Sequence, residues 1–179
     1  MLPVTGRKRA AGRGGNGLPQ GAVVTNYEEI FQESYRRVTG DDNGERFFER
    51  FYENFLATSD DIREKFAHTE MPRHQQLARK SFFHLLNLYH TKVTSDYLER
   101  IAIEHGPAKL CIPEAMFNAW RAAILATVRD LDSHHYDAKV EIAWAMTIAP
   151  GLEFMRQMAT HGASESVAAG AAAAGRTPG

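Results

Sequence analysis

His105 lies in the stretch SDYLERIAIEHGPAKLCIP, residues 95 to 113, four positions after Ile101 and seven after Leu98, with Gly106 and Pro107 directly behind it. Leu98, Ile101 and Ala102 have the spacing that lines one face of a helix. His105 continues that face, and the Gly-Pro pair stops the helix there. An imidazole on the apolar side of a last turn is held in one direction, is shielded from water and can coordinate a metal when neutral. Coordination through one ring nitrogen leaves the other to donate to a backbone carbonyl one turn earlier, near Ile101, which fixes the tautomer. This would suit the axial ligand of a flat iron cofactor. The plainer alternative on this stretch alone is a packed histidine that interacts well with the helix dipole.

Two further polar side chains fall on apolar stripes. Tyr52 shares one side of a helix with Phe48, Phe51 and Phe55. A buried tyrosine hydroxyl needs a partner, either a core carbonyl or a ligand. From Pro72 to His90 the best-fitting inward stripe is Leu77, Ala78, Ser81, Leu85, Leu88 and Tyr89. His74 lies on that stripe, while Gln75 and Gln76 fall progressively off it. The adjacent His134 and His135 cannot both face one site on a regular element, which argues against a metal site there. One cysteine, Cys111, excludes an intramolecular disulfide and a Cys-rich metal site.

The elements that must position these groups are helices. Thr25 and Glu28 have capping-box spacing, and Tyr27, Ile30, Phe31, Ser34, Tyr35 and Val38 trace a stripe that ends at Gly40. Asp41, Asp42 and Asn43 offer caps for the aromatic-rich second helix, and a short helical segment runs from about Ser59 to Phe66. Pro72 suits a helix start, with Thr69 or Glu70 near the cap, and Pro113 opens a helix carrying Met116, Phe117, Trp120, Ile124, Val128 and Leu131 in phase. The last helix runs from about Asp137 to Met158 with Val140, Ala143, Trp144, Thr147, Ile148, Leu152 and Met155 inward, and Pro150 should kink it. No segment alternates with a two-residue period between turns, and no internal repeat is present. The expected fold is all-α, with six longer helices and one short one, which is too many for a four-helix bundle.

Composition agrees with one globular domain: 179 residues, 44% hydrophobic and 10% aromatic. Residues 1–24 place Arg7, Lys8, Arg9 and Arg13 among Gly and Pro, and 162–179 are mostly Ala, Gly and Ser, so both are expected to be flexible tails around a domain spanning 25–161. The glycines of the first tail do not follow a strand and are not a phosphate loop. A formal net charge of −1 gives no general basis for nucleic-acid binding. No signal-peptide core or membrane-spanning window is evident, so the expected location is cytoplasmic.

The order of elements resembles the globin superfamily, specifically the bacterial single-domain globins related to flavohaemoglobins and to the globin domains of haem sensors. The resemblance spans about Thr25 to His161. FFERFYENFLATSDDIREKF places Tyr52 where these globins carry a distal tyrosine and Phe66 where they carry a phenylalanine on the haem face. LERIAIEHGPAKLCIPEAMFNAW resembles their proximal helix with His105 as iron ligand, and VEIAWAMTIAPGLEFM their closing helix with Trp144. In FAHTEMPRHQQLARKSFFHLL, counting from Phe66 points to Gln76 as the distal polar residue, whereas helical periodicity selects His74.

The resemblance implies a haem b site holding iron on His105, with Tyr52 on the distal side, joined there by His74 as periodicity selects it or else by Gln75 or Gln76, and with Phe66, Leu77, Ala78 and Ile101 completing the pocket. It implies reversible binding of dioxygen, nitric oxide or carbon monoxide, in the manner of oxygen-carrying or gas-sensing globins. Nitric oxide dioxygenation is a second implied activity and would need a separate reductase. A sensor acting through a partner or a homodimer formed by the last two helices is a third, and a haem-free interaction module of globin fold is a fourth.

Overall fold

In a computed structural model, the described residues are 25–40 and 42–174, with side chains described as far as 159. Seven helices follow in order: α1 Tyr27–Thr39, α2 Glu45–Leu56, α3 Asp60–Lys65, α4 Met71–Thr91, α5 Asp96–Glu104, α6 Glu114–Leu131 and α7 Ala138–Ala174. There is no strand among the described residues. The expected N-terminal tail, 1–24, lies outside them.

Local chemistry sets most of these boundaries. Ser59 and Ser95 accept from the backbone N–H of Ile62 and Leu98, both at 3.2 Å, and start α3 and α5. Pro113 directly precedes α6 and Pro72 sits in the first turn of α4, where a missing N–H costs nothing. The Asp42 carboxylate accepts from the N–H groups of Gly44 and Arg46 at 3.0 Å each, and Gly44 adopts φ +83°, a conformation that suits glycine. Two ends differ from expectation. The cap of α1 is Asn26, which accepts from the Glu29 N–H at 3.2 Å, one residue later than Thr25; asparagine is the stronger cap. The α7 backbone stays helical to Ala174 rather than stopping near Met158, through a run rich in the best helix former, alanine.

The packing is built around α7, which touches α1, α4, α5 and α6, while α2 lies against α6 and α4. Pro150 sits inside α7 and can give no N–H to the carbonyl of Met146. Next to it, Gly151 has no side chain because there is no room for one: a Cβ there would lie 2.2 Å from Leu85 Cγ of α4. The bare backbone lets α4 and α7 approach closely.

Trp144 is fully buried at the centre, edge-on to Phe31 at 4.9 Å between centroids and stacked on Phe47 at 5.8 Å. Its Nε1–H donates to Ser34 Oγ at 3.0 Å, and Ser34 donates in turn to Asp132 Oδ2 at 2.7 Å. Arg37 donates through Nε and Nη2 to both oxygens of the same carboxylate, each at 2.8 Å. Burial pushes the Asp132 carboxyl up, but the bonds from Arg37 and Ser34 outweigh it and hold the group below its ordinary range. This network ties α1, the turn after α6, and α7 together.

On α4 the buried arc is Phe82, Leu85 and Leu86. The sequence stripe included Leu85 but ran through Leu77, which is 48% exposed. The helix is rolled toward Phe82 because that ring stacks on Phe47 at 6.0 Å and meets Phe48 edge-on at 5.7 Å.

Candidate functional site

The expected site residues come from α2, the end of α3, α4 and the end of α5, and Tyr52, Phe66 and His74 meet in one cluster. Tyr52 comes from the buried face of α2 and is 5% exposed. Phe66 is the residue that closes α3, and its N–H bonds back to the Ile62 and Arg63 carbonyls. His74 lies in the first turns of α4. The three rings meet edge to face: Tyr52 to His74 at 5.5 Å, Phe66 to His74 at 5.2 Å and Tyr52 to Phe66 at 6.1 Å between centroids. Ala78, one turn beyond His74, is partly buried against the core, whereas Leu77 is half exposed. Gln75 and Gln76 line a separate groove with Gly44, Glu45, Pro72 and Arg79 rather than joining the Tyr52–Phe66 cluster.

His105 caps the end of α5 with φ −78° and ψ −10°, one residue past the regular helix. Its Nδ1 is 2.7 Å from the carbonyl oxygen of Ile101. A carbonyl can only accept, so Nδ1 carries the proton and Nε2 keeps its lone pair. The loop behind holds the backbone in place: the N–H groups of Leu110, Cys111 and Ile112 donate to the carbonyls of Glu104, Gly106 and His105 at 3.1, 2.9 and 3.1 Å. Gly106 and Pro107 end the helix so that this clasp can form.

The electrostatics keep every group in a useful state. Burial lowers the His105 pKa below 6.5, opposed by the Ile101 carbonyl and by Glu104. Burial also lowers that of His74, and the neighbouring His105 adds to the effect, which places the two imidazoles within reach of each other's field. Burial pushes the Tyr52 phenol well above the ordinary tyrosine range, so it stays protonated and able to donate. Below pH 6.5 the unfolded chain takes up protons that the folded pocket refuses, so stability should fall as the pH drops from about 7 to 5 and be intact above that window. Urea unfolding of the apoprotein across that range should show a falling midpoint, with a shallower fall in His74→Gln; a flat midpoint would mean that both histidines are solvated in the folded protein.

Among the described residues, Tyr52 Oη, His105 Nε2 and both ring nitrogens of His74 have no hydrogen-bond partner. Tyr52 therefore does not bond a core carbonyl, the plainer expectation for it. No cluster of three or more His, Cys, Asp or Glu side chains suited to a bare metal ion occurs among the described residues, and His135 instead faces Asp132 with Nδ1 at 3.2 Å. The donor set has the chemistry that haem requires: a neutral imidazole nitrogen with an uncommitted lone pair on His105, uncommitted polar groups on Tyr52 and His74, and apolar rings around them. One further ring joins this cluster without having been expected there: Phe55, which stands edge-on to Phe66 at 5.8 Å. Its position on the aromatic face of α2 was the only available signal, and it does not separate pocket from core.

No family model and no curated protein matches the chain. Among solved structures it is similar to a protein from Pseudomonas aeruginosa PAO1 described as structurally highly homologous to a human haemoglobin. The two share 28% sequence identity with a TM-score of 0.66, over 74% of this chain and 98% of that one. No helix is long and apolar enough to cross a membrane, among the described residues. With seven helices in this order and that structural likeness, the chain has a globin-like fold.

Proposed function

We propose that this protein binds haem b on His105 and reversibly binds a diatomic gas beside Tyr52 and His74. The observation that supports the reading most directly is the 2.7 Å bond from His105 Nδ1 to the Ile101 carbonyl, which leaves Nε2 as a lone-pair donor with no other partner. Haem held by His105 would supply iron, at which dioxygen, nitric oxide or carbon monoxide could bind.

The remaining work falls to the protein. His105 is kept neutral by burial and oriented by Ile101 and the clasp behind it. Tyr52 offers an O–H that has no competing acceptor, and His74 offers a second neutral group that can donate or accept. Phe66, Phe55 and Ala78 keep bulk water out. Such a donor favours a ligand that gathers negative charge, dioxygen, over carbon monoxide, which gathers little.

Absorption spectroscopy of the purified protein, reduced and then exposed to carbon monoxide, tests the proposal: a strong Soret band of histidine-ligated haem is expected, and failure to take up haem on reconstitution would overturn it. Tyr52→Phe should speed dioxygen release by roughly 10–100-fold, the equivalent of one charge-assisted hydrogen bond of about 1.5–3 kcal/mol. An unchanged release rate would remove Tyr52 from the donor role.

A further inference from the structure

A cleft of about 440 Å³ opens between the end of α1, the turn into α2 and the outer side of α4. None of Tyr52, Phe66, His74 and His105 lines it, so it is separate from the candidate haem site. Its apolar lining is aromatic. Phe48 and Phe82 are buried and form the floor, meeting edge to face at 5.7 Å, with the half-buried Tyr35 beside them. Phe83 stands at the mouth, 62% exposed, where its ring is free to cover an apolar guest.

The polar edge of the same cleft carries two adjacent cations, Arg79 and Lys80. Arg79 Nη1 donates to the Asn43 carbonyl at 3.2 Å, which ties the guanidinium to the turn between α1 and α2, while Nε and Nη2 have no partner among the described residues. The nearest carboxylate, Glu45, approaches Nη1 only to 3.9 Å and is 73% exposed, so water screens it and the pair contributes little. Lys80 holds its ammonium 4.4 Å from the centroid of the Tyr97 ring and pairs with no carboxylate among the described residues. Arg79 therefore keeps two neighbouring N–H donors of the kind that grip a carboxylate side-on, with a second positive charge next to them.

We propose that this cleft binds a small aromatic carboxylate, its ring between Phe83 and the Phe48 and Phe82 floor and its charge on Arg79 and Lys80. A flat ring gains offset or edge-to-face contact with the rings already present. The carboxylate exchanges water on the guanidinium for charge-assisted hydrogen bonds, which neither an amine nor an alcohol on the same ring would do. The volume lies within the roughly 300–1,000 Å³ usual for small-molecule sites. The proposal does not depend on haem.

Cinnamate tests it, with cinnamyl alcohol as the uncharged comparator of the same shape. The full chain as purified is titrated with each by calorimetry, and the site is mapped by amide NMR. Saturable binding of one cinnamate per chain is expected, with shifts at Asn43, Gly44, Arg79, Lys80 and Phe83, and roughly tenfold weaker binding of the alcohol. Arg79→Gln should weaken cinnamate binding roughly tenfold, and Lys80→Gln and Phe83→Ala, both at exposed positions that folding does not depend on, roughly 2–5-fold each. Circular dichroism confirms that the variants are folded. Equal binding of cinnamate and the alcohol, octanoate binding as tightly as cinnamate, affinity unchanged in all three variants, or shifts confined to the surroundings of Tyr52 and His105 would each overturn the proposal, as would the lack of saturable binding at millimolar cinnamate. Failure of the protein to take up haem would leave it standing.

Discussion

His105→Ala should abolish stable haem binding while leaving a folded helical protein. The ring makes one hydrogen bond, to a carbonyl that α5 already supplies with helical partners, so its loss should change stability by no more than about 1 kcal/mol. Loss of the nitrogen proposed to hold the iron should weaken haem retention by more than the roughly 10–100-fold that follows from disturbing an outer-shell partner of a metal ligand. Titration with haem monitored at the Soret band, beside far-ultraviolet circular dichroism, separates the two effects. Glycine at the same position with imidazole added to the buffer should recover the histidine-type spectrum. Undiminished haem binding by His105→Ala would transfer the axial role to His74.

The second large effect concerns stability. Asp132→Ala should destabilise the fold by about 3 kcal/mol, because it leaves Ser34 and the Trp144 indole N–H in a dry interior with a broken chain and removes both acceptors of Arg37. The Arg37 side chain is one-third exposed and can find water, so the full cost of an abandoned buried charge does not apply. For a chain of this size the melting midpoint should drop by roughly 6–12 °C. The pH dependence follows from the depressed carboxyl: the contribution is present above the ordinary aspartate value and is lost as the pH falls through the lower value of the folded state. A melting midpoint in Asp132→Ala equal to that of the parent would mean that the network contributes position without stability.

His105 was legible in the sequence because everything that defines it is local. Leu98, Ile101 and Ala102 set the face, Gly106 and Pro107 set the stop, and the Ile101 carbonyl that fixes the tautomer is one turn away. Ser59, Ser95, Pro72 and Pro113 marked helix starts for the same reason: a cap acts within three or four residues. Periodicity likewise separated His74 from Gln75 and Gln76, since one helical turn already sends those side chains to different sides.

Other features were decided only by the tertiary structure. Helical periodicity cannot tell which of two apolar arcs on α4 faces inward, and the choice of Phe82 and Leu86 over Leu77 came from the rings of Phe47 and Phe48 on α2. Asp132 looked like a loop residue between helices; its partner Ser34 is 98 positions away, and Ser34 in turn is 110 positions from Trp144. Most helix positions, several of their caps and the place of His105 at a helix end could be read from the sequence, because those rest on interactions within one or two turns. Only the packed structure decided which faces met, that Tyr52 kept an uncommitted hydroxyl and that the core held a buried carboxylate, because burial and partner choice depend on surfaces brought together from distant parts of the chain.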